Sequence, residues 1–179
     1  MNQDGVALIR IRKELELEVA AVQRVADDYG RIPQDIPDWI RVRAQASLLH
    51  DFYTGLERAF CRIVQELNGG LPRSEQWHRD LLQDMALNLE GVRPAVITEG
   101  LRRDLIPYLR FRHLFRNVYG FELEAERMAF LDQAFVSVCS RALTELRDEK
   151  GQKMGTDLFS HRWGSWVEPE KINLSPFSQ

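Results

Sequence analysis

The chain has 179 residues, 44% of them hydrophobic, and a formal net charge of −3. This size and composition suit a single domain with one core, and the charge excludes a globally basic nucleic-acid-binding protein, so any such site must be a local patch. A membrane-spanning helix needs a run of about 20 apolar residues, and no stretch of the sequence comes near that length. The first residues also lack the apolar core of a signal peptide. We therefore expect a soluble, cytoplasmic protein with no membrane partner.

The two cysteines, Cys61 and Cys139, lie far apart in the sequence and inside apolar helical patterns. Such positions favour buried thiols over a disulfide. No spacing of histidine, cysteine and acidic residues points to a metal, and we expect no cofactor.

The first half of the chain predicts two long helices. Apolar residues recur at three- and four-residue steps from about Val6 to Asp28, which is typical of an amphipathic helix. Two prolines in the segment 29–37 interrupt it, because each disfavours the α region for the residue before it. Asp38 is the expected N-cap of a second helix, which runs to about Leu67 and is stopped by the Asn-Gly-Gly sequence that follows.

The second half predicts one short helix and two long ones. Ser74 is the expected N-cap of the short helix, and Thr98 opens the next long one. Pro107 lies inside that helix and is expected to kink it around residues 103 to 107. A last helix runs from about Glu124 to Asp148. Since no useful strand pattern occurs, we predict an all-α bundle of four long helices and one short helix, joined by short loops.

The last part of the chain has a different composition. Residues 149–179 combine polar residues, prolines and aromatic residues, including Trp163 and Trp166, and they have no core of their own. Because two tryptophans are costly to expose, we expect part of this tail to dock on the bundle or on a partner. The predicted organisation is a helical domain over residues 1–148 and a C-terminal tail over 149–179.

The stretch 108–122 is the most informative part of the sequence. At about 100° per residue, an α-helix here has one apolar arc, expected to face the core, formed by Phe111, Leu114, Phe115 and Val118. The residues outside that arc are Arg112, His113, Arg116, Asn117 and Tyr119. Gly120 is the expected end of the helix. No acidic residue occurs between Asp104 and Glu122, so this polar face suits contact with phosphate.

Four segments together resemble the HepT-like branch of the HEPN superfamily: LLHDFYTGLER at 48–58, GGLP at 69–72, WH at 77–78 and FRHLFRNVYGFE at 111–122. The resemblance covers roughly Leu8 to Leu146. It implies a HEPN-like up-and-down bundle that forms a homodimer, in which the motif helices face each other across a cleft. It also implies a minimal nucleotidyltransferase (MNT) antitoxin as partner and RNA as substrate.

The family motif is an arginine, four residues, a histidine, one residue and a tyrosine. Arg112 matches the arginine and Tyr119 the tyrosine, whereas Asn117 stands at the histidine position. His113 matches the polar residue that commonly follows the arginine. The resemblance implies an endoribonuclease that needs no metal, with Arg112 on the scissile phosphate and Tyr119 as the acceptor of AMP from the antitoxin. Arg116 is a further candidate for RNA binding, and the alternative is that it belongs to a plain solvated face.

The asparagine changes the expected chemistry, because it has no titratable nitrogen and cannot act as a base. His113 lies about 40° from Asn117 on the helical wheel and is one candidate for the base. The other possibility is a weak or inactive nuclease. On the second helix, Tyr53 and Glu57 form a four-residue pair that either supports the cleft from behind or is purely structural.

Three functional hypotheses follow from the sequence. The leading one is a HepT-like toxin that cleaves RNA, with Arg112, His113 and Asn117 as its catalytic residues. The second is an inactive HEPN module that binds RNA or the nucleotidyltransferase. The third is a helical interaction domain whose cationic face forms a dimer interface. We expect His50 and His78 to have structural roles in each case.

Overall fold

The computed structural model describes residues 3–117 and 125–147. Within these residues the fold is all-helical, as predicted, with four long helices and one short one. The helices are α1 (Gln3–Gly30), α2 (Asp38–Ile63), α3 (Trp77–Met85), α4 (Glu99–Asn117) and α5 (Ala125–Arg147).

Two of the expected helix starts are shifted. Pro37 occupies the N-cap position of α2, and Asp38 is the first helical residue, where its carboxylate pairs with Arg41. Gln76 occupies the N-cap position of α3, while Ser74 closes the preceding turn by accepting the backbone N–H of Gln76 at 3.2 Å. In both cases the polar residue stabilises the helix start from one or two residues away.

Two other predicted boundaries, the start of α4 and the end of α2, agree with the structure. The Oγ1 of Thr98 accepts the N–H of Leu101 at 3.2 Å, so Thr98 caps α4. After α2 the chain continues as a π-helical turn over Val64–Asn68 and then stops at Gly69, whose φ of 83° is left-handed. Glycine adopts that conformation at little cost. The expected kink at Pro107, which lies inside α4, stays a prediction.

Helix α2 is the centre of the bundle, since it packs against α1, α3, α4 and α5. Polar contacts join the consecutive long helices α1 and α2, and likewise α4 and α5. In α1 and α2, Glu14 pairs with Arg62 at 3.4 Å. In α4 and α5, Arg141 pairs with Asp104 at 2.6 Å, and the phenol of Tyr108 donates to the carbonyl of Leu131 at 2.9 Å.

The three- and four-residue spacing of apolar residues predicts an inward face on α2 and on α5, and all of its members except the half-buried Leu48 lie in the core. Leu49, Phe52, Leu56, Phe60 and Ile63 are all buried on α2. The inward set of α5 is also buried: Met128, Leu131, Phe135, Val138, Ala142 and Leu146. Phe52 makes edge-to-face contacts with the rings of Tyr108 and Phe135, at centroid distances of 5.3 and 5.2 Å.

Both cysteines are free thiols, as expected, with Cys139 buried and Cys61 half-buried. Burial raises the pKa of Cys139 to about 12. In the described part of the chain, no helix combines the length and apolar character needed to cross a membrane. The predictions for Val118, Tyr119, Gly120 and the tail from 149 to 179 fall outside the described residues.

Candidate functional site

The candidate site lies where α2, α3 and α4 meet, and Glu57 of α2 is at its centre. The Glu57 side chain is buried, with 6% of the residue exposed. One carboxylate oxygen is 2.7 Å from Nη2 of Arg112 on α4. The other is 2.5 Å from Nδ1 of His78 on α3. One carboxylate therefore joins three helices through two polar contacts.

Arg112 is buried, with 9% of the residue exposed, and not on the outer face of α4 as predicted. Its Nε atom is buried and has no hydrogen-bond partner among the described residues. Leu114, predicted to be buried, is instead 44% exposed. Phe111 is buried and Phe115 packs against the core, as predicted. The prediction was wrong for Leu114 and Arg112, because the carboxylate of Glu57 provides a buried partner for a guanidinium on the inner side of α4.

Tyr53 and Glu57 occupy one face of α2, as predicted, and both are buried. Burial, followed by the nearby Glu57 carboxylate, raises the pKa of Tyr53, so its phenol stays protonated. The same two causes raise the pKa of Cys61, one turn beyond Glu57. In both cases the Arg112 guanidinium opposes the shift. The phenol of Tyr53 and the thiol of Cys61 are therefore neutral groups beside the Glu57–Arg112 ion pair.

His78 is the site residue that the sequence analysis missed. Its side chain is 28% exposed, and its ring stacks on that of Trp77, with centroids 3.5 Å apart and an interplanar angle of 30°. The Trp77-His78 pair was visible in the sequence. Its contact with Glu57 depends on how α3 packs against α2, which no local pattern reveals.

The remaining predicted residues of α4 lie on its exposed side. His113, Arg116 and Asn117 are all exposed. The amide of Asn117 donates to the backbone carbonyl of His113 at 2.7 Å, so this group is engaged by its own helix. The structure therefore separates Arg112, which faces α2, from the other predicted residues of the motif helix. Tyr119 lies outside the described residues.

The described residues contain no group of three or more histidine, cysteine or acidic side chains placed to hold a metal ion. The site in this part of the chain is an assembly of one guanidinium, one carboxylate and one imidazole.

A profile of the HepT-like protein family matches residues 44–150, which is more than half of the chain. The chain belongs to the HepT-like family of the HEPN superfamily. A search of curated proteins and a search of solved structures each gave no match. The matched part of this HepT-like protein contains Glu57, His78 and Arg112, whereas α1 lies before it. Family membership suggests a protein of the HEPN and toxin–antitoxin kind.

Proposed function

We propose that this HepT-like protein is the toxin of a toxin–antitoxin pair and cleaves RNA without a metal ion. The observation that carries the proposal is the position of Arg112. In a chain of this family, the motif arginine is fixed by a buried carboxylate 2.7 Å away. A guanidinium held in one place can stabilise a charged phosphate with little reorganisation, which is the main requirement for electrostatic catalysis.

The proposed reaction is attack of a ribose 2′-hydroxyl on the adjacent phosphate. The 2′-oxygen forms a bond to phosphorus as the bond to the 5′-oxygen breaks, which gives a 2′,3′-cyclic phosphate and a 5′-hydroxyl. Arg112 stabilises the phosphorane charge, and the exposed Arg116 binds the neighbouring backbone. On α4 itself, the candidates for proton transfer are His113 and a water ordered by Asn117.

The proposed cleft is shared between two copies of the chain. The exposed side of α4 carries His113, Leu114, Arg116 and Asn117, which combines cationic, polar and apolar groups on one surface. Two such surfaces facing each other would line one RNA strand with the exposed residues of both motif helices, while Arg112 of each chain would contact its phosphate from the α2 side. This homodimer supplies the second wall that a single bundle lacks.

The decisive experiment is cleavage of a labelled single-stranded RNA in the presence of EDTA. We expect wild type to cut and Arg112→Ala to lose about 100-fold or more in rate, as for removal of a transition-state donor. The matched control is Arg103→Ala, since Arg103 is an exposed arginine of the same helix. Equal activity of Arg112→Ala and Arg103→Ala would refute the role of Arg112.

The proposed antitoxin is a nucleotidyltransferase that transfers AMP to Tyr119. In a continued helix Tyr119 would lie about 20° from Arg112 on the wheel, so the added phosphate and adenosine would block the arginine by bulk and charge. Pretreatment with ATP and such a partner should add AMP to wild type and stop cleavage. Tyr119→Phe should gain no mass and stay active after the same treatment.

A second candidate function is a binding module without catalysis. It is favoured by Asn117, which stands where the resemblance expects a histidine and whose amide is engaged with the helix backbone. In that case wild type should bind the RNA in a fluorescence anisotropy titration without cutting it, and Asn117→His should gain cleavage.

A further inference from the structure

The Glu57 carboxylate brings an imidazole and a guanidinium to one place. Nδ1 of His78 lies 2.5 Å from Oε1, and Nη2 of Arg112 lies 2.7 Å from Oε2. Nδ1 of His78 and Nη2 of Arg112 are therefore bridged by a single carboxylate, with one polar contact on each side. Cleavage of a phosphodiester needs a base and a cation within such a distance of the same phosphate.

The contact with Glu57 also determines which nitrogen of His78 is available. An ionised carboxylate only accepts hydrogen bonds, so the neutral imidazole carries its proton on Nδ1 and donates it to Glu57. This arrangement leaves the lone pair on Nε2, the tautomer that a base requires. The Trp77 ring, stacked at 3.5 Å, holds the imidazole plane, and the 28% exposure of the side chain leaves it open to a ligand.

His113 does not have this relation to Arg112. The two residues are consecutive in α4, so their side chains diverge by about 100° around the helix. Arg112 is buried against α2, whereas His113 is exposed on the outer side. Within one chain, a phosphate that contacts Arg112 is therefore closer to the Glu57-linked imidazole than to that of His113.

We propose that His78, oriented by Glu57, is the general base of the RNA cleavage described above, an inference that rests on the proposed ribonuclease function. Nε2 takes the proton of the 2′-hydroxyl as the 2′-oxygen bonds to phosphorus. The 5′-oxygen leaves with the electron pair of its broken bond and takes a proton from water. Glu57 stays ionised and stabilises the imidazolium that forms, while Arg112 stabilises the phosphorane.

This assignment supplies the base that the motif helix lacks. Asn117 cannot accept the proton, but a histidine from α3 reaches the same arginine through α2. Glu57 is then a positioning residue for two groups at once. His78 is the catalytic residue, because it is the one that contacts the reacting 2′-hydroxyl.

The test compares variants of the full-length chain on a labelled single-stranded RNA in EDTA, with the product ends identified. We expect His78→Gln to lower kcat at least about 100-fold, the usual contribution of a general base, with little change in KM. Its amide can still donate to Glu57, which keeps the structural contact, but it cannot take a proton. Arg103→Ala, at an exposed arginine of α4, should stay within about threefold of wild type, as is usual for surface substitutions.

Chemical rescue separates catalysis from structure. We expect added imidazole to restore part of the kcat of His78→Ala and to leave His78→Gln unchanged, because only alanine leaves space for the ring. Thermal unfolding of each variant reports whether the fold is intact. If His78→Ala does not fold, the kcat of His78→Gln alone decides the question.

Each other outcome overturns the proposal in a distinct way. A folded His78→Gln with wild-type kcat, or a folded His78→Ala that imidazole does not rescue, shows that His78 is not the base. If His113→Ala is inactive at the same time, the ribonuclease function stands and its base is on α4. If wild type itself produces no 2′,3′-cyclic phosphate, the ribonuclease function fails and the assignment of His78 fails with it.

Discussion

Arg93 and Arg112 are both buried arginines, but their donors are used differently. Arg93 is 1% exposed, and its guanidinium donates to the side-chain oxygen of Asn68 and to the carbonyls of Asp84, Leu87 and Pro94, at 2.8 to 3.2 Å. In Arg112 one donor meets Glu57, while Nε has no partner among the described residues. All the polar contacts of Arg93 thus serve the fold, whereas one nitrogen of Arg112 is left without a partner inside the described part of the bundle.

The residue-scale prediction concerns Arg93. Arg93→Met keeps much of the side-chain volume but leaves three carbonyls and one amide oxygen without their donor. We expect a loss of about 3 kcal/mol in the free energy of unfolding. A fully buried acceptor that loses its partner costs about 1–3 kcal/mol, and these part-buried acceptors recover some of that cost from water. Urea denaturation followed by circular dichroism measures it.

The control for this prediction is Arg73→Met, at an exposed arginine in the segment before α3. It should change the free energy of unfolding by less than about 0.5 kcal/mol, as is usual for surface substitutions. A loss at Arg93 no larger than that at Arg73 would show that the connection between α3 and α4 does not depend on the guanidinium.

The site was only partly predictable at the scale of single residues. The composition of the motif helix identified Arg112 as a phosphate-binding candidate, and the spacing of Tyr53 and Glu57 placed them on one face. Neither the burial of Arg112 nor the role of His78 followed, because each depends on Glu57 acting across a helix interface. A periodicity argument treats charged residues as exposed unless a buried partner is known.

At the scale of elements, the contact between α1 and α2 depends on a glycine. A Cβ added to Gly55 would lie 2.7 Å from Cγ2 of Val22, closer than real side chains pack. Valine has little freedom to move away, because its χ1 is restricted in a helix. The absence of a side chain at Gly55 therefore allows α1 and α2 to approach closely.

We expect Gly55→Ala to reduce the free energy of unfolding by about 1 kcal/mol, although alanine favours the helix by about the same amount. The clash with Val22 must therefore cost more free energy than alanine gains from its higher helix propensity.

Gly100→Ala is the matched control, since its added Cβ would meet neighbours only at 3.8 Å, and this variant should be slightly stabilised. Thermal unfolding of the two variants, and of Gly55→Ala combined with Val22→Ala, measures both effects. If the contact with Val22 is the cause, the double variant should lose less than the sum of its single changes.

The elements themselves were largely predictable, for reasons that are local. Glycine and proline marked the ends of the helices, and three- and four-residue spacing identified the inward residues of α2 and α5. The starts of α2 and α3 were misplaced, because a polar residue near a helix start can cap it or lie just before or inside it. For α4, the sequence predicted the helix and the burial of Phe111 correctly but placed Leu114 inside and Arg112 outside.

At the scale of the whole molecule, one buried and one half-buried carboxylate each connect α2 to two other long or short helices of the bundle. Glu57 links α2 to α3 and α4. Asp132 of α5 accepts hydrogen bonds from the phenol of Tyr29 on α1 and, at 2.7 Å, from the amide of Gln45 on α2. The bundle therefore holds the inner side of α4 in a defined position and leaves His113, Leu114, Arg116 and Asn117 exposed on its outer side.

The proposed homodimer can be tested on that outer side. Leu114 is 44% exposed on α4, beside the exposed His113, and a dimer through the motif helix would bury it. Leu114→Arg should convert a dimer to a monomer in analytical ultracentrifugation, because an unpaired charge buried at the centre of an interface costs several kcal/mol. The same change should abolish RNA cleavage if the cleft needs both chains.

Leu17→Arg is the matched control, since Leu17 is 61% exposed on α1, which packs against α2 and α5. This variant should remain dimeric and active. A dimer that survives Leu114→Arg but dissociates with Leu17→Arg would place the interface on α1, and the motif helices would then face solvent. A Leu114→Arg monomer that cleaves RNA at the wild-type rate would place the complete site, from His78 through Glu57 to Arg112, within one bundle.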